Sequence, residues 1–370
     1  MESIFYRFYD LISYFDISLL MVNKIQIGNR SIGDDNSVFI IAEAGVNHNG
    51  DLNLARQLVI EAKRCGADCV KFQTFSAERV VTKDAPKAKY QMKTTDSGES
   101  QIDMLKKCEL KKEYYQELME LCNKESIIFL STPYNIEDVD FLDSFDVPAF
   151  KLASVHVIEP YFINYVAKKG KPILLSTGMA TLSEVAQAVQ AIRETGNEDF
   201  VLLQCTTNYP SRHEDANLQA METMRDSFDV IVGYSDHTED DTACIAAIAL
   251  GAKVIEKHFT IDKTLLGPDH SSSADPNGFS NLVKNIINTE KVLGSKKKEP
   301  CEIEMKNAIG MRRSLVAKAD IAKGVVISEK MITFKRPSTG ISPTEIHKIV
   351  GKKTAIAIQM DTIIDWKMIQ

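Results

Sequence analysis

Apolar residues fall into eight short runs between residues 38 and 260, separated by mixed stretches of helical period. The runs are "VFIIAEAGV" from 38, "CVKFQTF" from 69, "IIFLSTP" from 127, "AFKLAS" from 149, "PILLSTG" from 172, "FVLLQCT" from 200, "VIVGYSD" from 230 and "VIEKHFT" from 254. Each has strand length and is apolar enough to be buried on both faces. Between them, residues 52–65 set Leu54, Leu58, Ile60 and Ala62 among Arg and Lys. Residues 181–195 open with Thr181 and Glu184 at capping-box spacing, then place Leu182, Val185, Val189 and Ile192 on one face. Residues 240–250 and 279–293 also read as helices. Strand and helix alternating eight times within about 250 residues predict a (β/α)8 barrel of the TIM type. An open doubly wound sheet is the competing layout, but no G-x-G-x-x-G turn follows the first run.

The pattern changes outside this block. After Gly294, "SKKKEPCEIEMK" is charged and contains a proline, which predicts an exposed linker over 295–307. Residues 308–370 show short strand-like runs broken by Gly and Pro, as in a small β-rich module. The N-terminal "MESIFYRFYDLISYFDISLL" is apolar, but Glu2, Arg7, Asp10 and Asp16 interrupt it. It suits neither a signal peptide nor a membrane span. Residues 1–21 are expected to form a frayed extension or to precede a working start at Met21, with the barrel over 22–294.

Composition narrows the class. The 370 residues carry a net charge of −7, and 44% of them are hydrophobic. That mild acidity, without a long basic run, argues against nucleic acid as a partner. The seven cysteines are scattered and form no C-x-x-C pair, which fits a reducing cytoplasm better than a disulfide framework or zinc cage.

All eight runs end in polar residues. In order, they bring Glu43 with Asn47 and His48, Lys71 with Gln73, Ser131 and Thr132, Lys151 with Ser154, Ser176 and Thr177, Gln204 with Thr206, Ser235-Asp236-His237, and Glu256 with His258. In a barrel these ends share one rim. Alternation puts Glu256 and His258 on one face and turns Lys257 toward the helices. Lys71 and Lys151, with hydroxyls from Thr132, Ser154, Ser176 and Ser235, suit an anionic substrate. A Schiff-base lysine is the alternative use of either amine. His237 and His258, near Asp236, Glu256 and Asp269, suggest an open divalent-metal site for Mn, Co, Fe or Zn. Glu43 is the acid/base candidate, Tyr209 can orient a hydroxylated substrate, and "GPDH" at 267–270 is a turn presenting Asp269 and His270. A non-catalytic sugar-binding protein would not require this set.

"IAEAGVNHNGD", "VKFQTF", "FKLAS", "LLSTGMAT", "CTTNYP", "GYSDHT" and "IEKHFTIDKTLLGPDH" together resemble the sialic acid synthases and their bacterial nonulosonic acid relatives, from about residue 22 to the end. The resemblance implies a transferase that condenses phosphoenolpyruvate with an N-acetylated hexose, typically N-acetylmannosamine, to give N-acetylneuraminate. Legionaminic acid synthesis from a 2,4-diacetamido-trideoxy hexose is the alternative; pseudaminic acid synthesis ranks lower because those enzymes tend to depart from "GPDH". By the same resemblance, Lys71, Thr132, Lys151, Ser154, Ser176 and Ser235 hold phosphoenolpyruvate, and His237 and His258 bind Mn²⁺ or Mg²⁺. Glu43, Gln73, Tyr209 and Asp269 handle sugar and protons. Thr207 or Asn208 supplies a further contact, depending on a one-residue shift, and Glu256 joins the catalytic set. Residues 308–370 would be an antifreeze-like (SAF) domain that crosses to the partner in a swapped homodimer, with Arg336 reaching the neighbour's sugar.

Overall fold

The computed structural model describes residues 24–370 apart from 89, 90 and 97. The extension expected over 1–21 lies outside the described residues. Contacts divide the chain into two units that meet between Gly294 and Ser295.

The first unit is built round eight parallel strands: β3 (Phe39–Gly45), β4 (Cys69–Thr74), β5 (Ile128–Pro133), β6 (Phe150–Leu152), β7 (Ile173–Ser176), β8 (Phe200–Cys205), β9 (Ile231–Asp236) and β10 (Val254–His258). The ladder runs β5-β4-β3-β10-β9-β8-β7-β6, and its end strands β5 and β6 lie side by side. This is the expected (β/α)8 barrel. The predicted helices form at Leu52–Arg64, Leu182–Arg193, Thr242–Ala249 and Pro276–Leu293. At Thr181 both capping-box hydrogen bonds are present: its Oγ1 accepts from the Glu184 backbone, and the Glu184 carboxylate accepts from the Thr181 backbone.

Side-chain alternation sorts the strand residues. Outward positions such as Ile40, Val70, Phe129, Phe150, Leu175, Leu202 and Ile255 are buried in the apolar layer beneath the helices. Inward positions change character with height. Phe39, Ile41, Cys69, Leu130, Ala149, Leu174, Val201 and Val254 fill the lower lumen as a separate apolar cluster. One pleat further along, the same face carries Glu43, Lys71, Thr132, Lys151, Ser176 and Glu256, all buried.

The sequence patterning did not indicate what closes the floor. An antiparallel hairpin, β1 (Lys24–Ile27) and β2 (Arg30–Gly33), precedes the barrel. Its Ile25, Ile27 and Ile32 are buried in the lower-lumen cluster. Two four-residue strands are too short to show a clear period. The segment after β4 also holds short helices, at Ala77–Val80, Gln91–Thr94 and Gln101–Cys108, that the pattern did not resolve.

The second unit begins with the helix Glu302–Met311, so part of the stretch read as linker is helical. Strands β11 (Ser314–Ala317) and β12 (Ile332–Lys335) pair antiparallel over a small core of Leu315, Ile327, Ile332, Ile341, Ile349 and Ile364. Isolated bridges such as Ile321–Ile358 and Val326–Lys353 supply the remaining β pairing. Arg336 follows β12 and is exposed. The loop after it is held by Ser338 Oγ on the Ala308 carbonyl at 3.1 Å and Ser314 Oγ on the Pro337 carbonyl at 2.7 Å. Among the described residues, no helix is long and apolar enough to cross a membrane.

The hairpin floor should be structural. Replacing the fully buried Ile27 with Ala leaves a cavity in the lower lumen and should cost about 3 kcal/mol in denaturant unfolding.

Candidate active site

The polar tier of the lumen forms one charge cluster. Lys71 Nζ lies 2.6 Å from Glu43 Oε2 and 3.6 Å from Glu256 Oε2, and it donates to Thr132 Oγ1 at 3.2 Å. Lys151 Nζ lies 3.6 Å from Glu256 Oε1 and donates to Ser176 Oγ at 2.7 Å. Glu256 thus stands between the two lysines and accepts from Ser235 Oγ at 2.9 Å. Two ammonium groups and two carboxylates balance in charge, which makes their joint burial tolerable.

Each group titrates away from its ordinary range for a physical reason. Burial pushes Glu43 up, outweighing the opposing charge of Lys71. Burial also opposes the Glu256 carboxylate, but Lys151 and Lys71 prevail and hold it down at about 2. Burial lowers Lys151, whereas Lys71, with burial against it, is raised by Glu256 and Glu43. Asp269 rises to about 6, first through burial and then through the charge of Glu43.

The imidazoles stand beside this cluster. The rings of His237 and His258 are 5.2 Å apart, and Tyr209 lies 4.1 Å from the first and 5.4 Å from the second. His237 Nδ1 donates to the Thr206 carbonyl at 2.7 Å, which leaves Nε2 as the ring nitrogen able to ligate once deprotonated. Burial pushes His258 well below its ordinary range, so it is neutral. Its buried Nδ1 has no hydrogen bond and lies 3.9 Å from Asp269 Oδ2. Burial lowers His237 too, but the neighbouring Cys205 and the Thr206 carbonyl prevail and raise it, so the two imidazoles differ in protonation behaviour. Among the described residues no group of three His, Cys, Asp or Glu side chains gathers as a metal site. His237 and His258 are the imidazoles of this rim that could take part in an open site, with further positions for substrate and water.

The structure separates rim residues that were grouped in the sequence. Gln73 Nε2 donates to Glu43 Oε1 at 3.0 Å, so Gln73 belongs to the cluster. A Cβ at Gly178 would lie 2.6 Å from Thr207 Oγ1 and 2.8 Å from Ser154 Oγ, so these two hydroxyls flank a gap that only glycine leaves open. Asn208 instead bonds the Pro210 carbonyl, which places Thr207, not Asn208, at the cavity. Several rim candidates serve the loops. Asn47 Nδ2 bonds the Phe259 carbonyl and Ser273 Oγ, His270 Nδ1 pairs with Thr260 Oγ1 at 2.6 Å, and Gln204 bonds the Ala216 carbonyl. Asp236 points outward, where it binds Lys257 Nζ at 2.5 Å. Sequence reasoning missed Tyr134, whose hydroxyl donates to Gln73 Oε1 at 3.3 Å. The signal was its position directly after the "STP" that ends β5.

A parallel barrel whose strand ends gather lysines, carboxylates and imidazoles in one buried cluster has the layout of a (β/α)8 enzyme. Residues 58–298 match the profile of the NeuB family and residues 312–370 that of the SAF domain. The chain belongs to the NeuB family. It is 43% identical over 347 residues to the N,N'-diacetyllegionaminic acid synthase of Legionella pneumophila, covering 93% of this chain and 98% of that one. With the Campylobacter jejuni enzyme of the same name it shares 45% identity over 315 residues, covering 85% and 94%. Among solved structures it is similar to the N-acetylneuraminic acid (sialic acid) synthetase of Leptospira borgpetersenii, determined with citrate. The TM-score there is 0.69 and the identity 34%, over 77% of this chain and 95% of that one.

The outward Lys257–Asp236 pair should matter to stability alone. Lys257→Met leaves the fully buried Asp236 without its cation and should cost about 3–5 kcal/mol in chemical denaturation.

Proposed function

We propose that this chain condenses phosphoenolpyruvate with the open-chain aldehyde of an N-acetylated hexose, giving a nonulosonic acid and phosphate. The observation that best supports this is the buried Lys71–Glu256–Lys151 arrangement beside the His237–His258 pair. At 3.6 Å from Glu256, both ammonium groups keep donors for an incoming dianion. Thr132, Ser154, Ser176, Thr207 and Ser235 add hydroxyls round the phosphate and carboxylate.

His237 and His258 are the residues that would hold Mn²⁺ or Mg²⁺, and such an ion polarises a carbonyl oxygen as a Lewis acid. The chain's own groups orient the reactants and manage protons. The methylene carbon of phosphoenolpyruvate forms the new C–C bond to the aldehyde carbon. Water adds at C2, and phosphate departs with its bridging oxygen by C–O cleavage. Lys71 and Lys151 balance the charge of the departing group. Glu43, raised by burial and fixed by Gln73, is placed to move a proton. Asp269, near 6, can hold or release one close to neutrality. Tyr209, packed against both imidazoles, orients a sugar hydroxyl.

Two relatives named for N,N'-diacetyllegionaminic acid support a diacetamido-trideoxy acceptor, while the Leptospira structure supports N-acetylmannosamine. The lowering of Lys151 by burial favours a Schiff-base aldolase as second reading. Seven free thiols, six of them buried, suit the reducing cytoplasm. In a swapped homodimer, Arg336 would complete the neighbour's site.

Purified protein with phosphoenolpyruvate, an acetamido hexose and Mn²⁺ should release phosphate without being trapped by borohydride. Trapping on Lys151 or Lys71 would instead establish the aldolase reading. His258→Ala should fold normally by circular dichroism yet stay nearly inactive in excess Mn²⁺. The trans role of Arg336 predicts complementation: mixing inactive Lys151→Ala and Arg336→Ala subunits should restore about a quarter of wild-type activity, because half the dimers would carry one intact site. An active monomer, or a mixture that stays inactive, would reject that role.

A further inference from the structure

Above Lys71 and Thr132, the luminal faces of β4 and β5 carry one more pair, Gln73 and Tyr134. Alternation puts Gln73 on the side of Lys71 and Tyr134 on the side of Thr132. Strand pairing continues one residue past β5. There the Tyr134 N–H donates to the Thr74 carbonyl at 3.2 Å, so the tyrosine backbone is fixed beside Gln73. The same cross-strand contact occurs twice, one pleat apart: Lys71 Nζ donates to Thr132 Oγ1 at 3.2 Å, and the Tyr134 hydroxyl donates to Gln73 Oε1 at 3.3 Å. The tyrosine ring packs edge-on against Phe75 at 5.8 Å and against His156 at 5.7 Å. No step of the proposed condensation uses it.

Gln73 is bonded at both ends of its amide. Its Nε2 donates to Glu43 Oε1 at 3.0 Å, while Lys71 takes the other Glu43 oxygen at 2.6 Å. Room for this bond is built into β3. Its ladder with β4 shifts register between Glu43 and Gly45, and Gly45 has φ +52°. A Cβ there would stand 3.2 Å from Glu43 Oε1 and 3.4 Å from Gln73 Nε2, so a larger residue would crowd the pair. An amide can turn over about its last bond, exchanging oxygen for nitrogen. Turned, it would set Oε1 against the ionised Glu43 carboxylate. A hydroxyl that donates to Oε1 opposes that turn. The Tyr134 phenol stays a donor, because burial pushes it up to about 12.

We infer that Tyr134 is a positioning residue for the condensation proposed above, on which the inference rests: its hydroxyl fixes the Gln73 amide, and through that amide the Glu43 carboxylate beside Lys71. It acts through Gln73 and not on a reactant. Its effect therefore falls on the placement of the proton-moving group, which changes turnover, rather than on binding, which changes KM. One long neutral hydrogen bond is worth about fivefold in rate. The packing of the ring on Phe75 and His156 is a separate, structural duty, and phenylalanine keeps it.

The test is a double-mutant cycle on phosphate release, with Tyr134→Phe, Gln73→Met and the combination. Each protein is assayed with phosphoenolpyruvate, Mn²⁺ and, in parallel, N-acetylmannosamine and a 2,4-diacetamido-trideoxy hexose. Tyr134→Phe should lower kcat about fivefold and leave the KM values within about twofold. In the Gln73→Met background the same substitution should change kcat by less than about twofold, because the amide through which it acts is gone. A fivefold loss that persists there, or one carried by KM, would overturn the inference in favour of direct contact with a reactant. An unchanged kcat in Tyr134→Phe would overturn it outright. Wild type that releases no phosphate with either sugar would instead remove the condensation. Unfolding of the four proteins in denaturant supplies a second cycle, which decides where wild type or Gln73→Met turns over too slowly to measure. Substitutions that are coupled in stability support the Tyr134–Gln73 bond, and additive ones overturn it.

Discussion

The two-residue alternation of a closed parallel barrel is the constraint on which the rest of the structure depends. Every second residue of each strand faces the lumen, and the lumen has only two kinds of filling. Phe39 and Ile41 precede Glu43, Cys69 precedes Lys71, Ala149 precedes Lys151, and Val254 precedes Glu256. A one-residue slip in any strand would exchange its luminal charge for a residue meant for the helices. Fold and site therefore share one register, and the apolar tier that stabilises the barrel also supports the reactive tier.

The second requirement is electrostatic. Lysines and glutamates this deeply buried persist only as a balanced group. Glu256 serves both lysines, Ser235 fixes Glu256, and Gln73 fixes Glu43. The strain of this arrangement appears in the opposite titration behaviour of its two carboxylates: Glu256 is held low by two cations, while Glu43 is raised by burial. One carboxylate held low beside another pushed up is a pairing suited to acid–base chemistry.

Much of this was legible in the sequence because it follows from local periods. Apolar runs ending in polar residues specified the strands, Thr181 and Glu184 specified a helix start, and the parity of "VIEKH" separated Glu256 and His258 from Lys257. What could not be read depends on turn geometry. Asp269 and His270 are adjacent, yet one approaches Glu43 and His258 while the other turns back to Thr260. Thr207 and Asn208 differ likewise. Tyr134 lies just beyond a strand end, where no period continues. The floor hairpin was hidden by its brevity.

That hairpin has a kinetic consequence. With Ile25, Ile27 and Ile32 sealing the lower lumen, molecules that react beside Lys71 must arrive and depart through a single doorway. The deepest ligand has to enter before any companion that sits above it, and it cannot escape while that companion stays. For the condensation proposed above, a barrel stoppered at one end would impose an order on the entry of the two reactants.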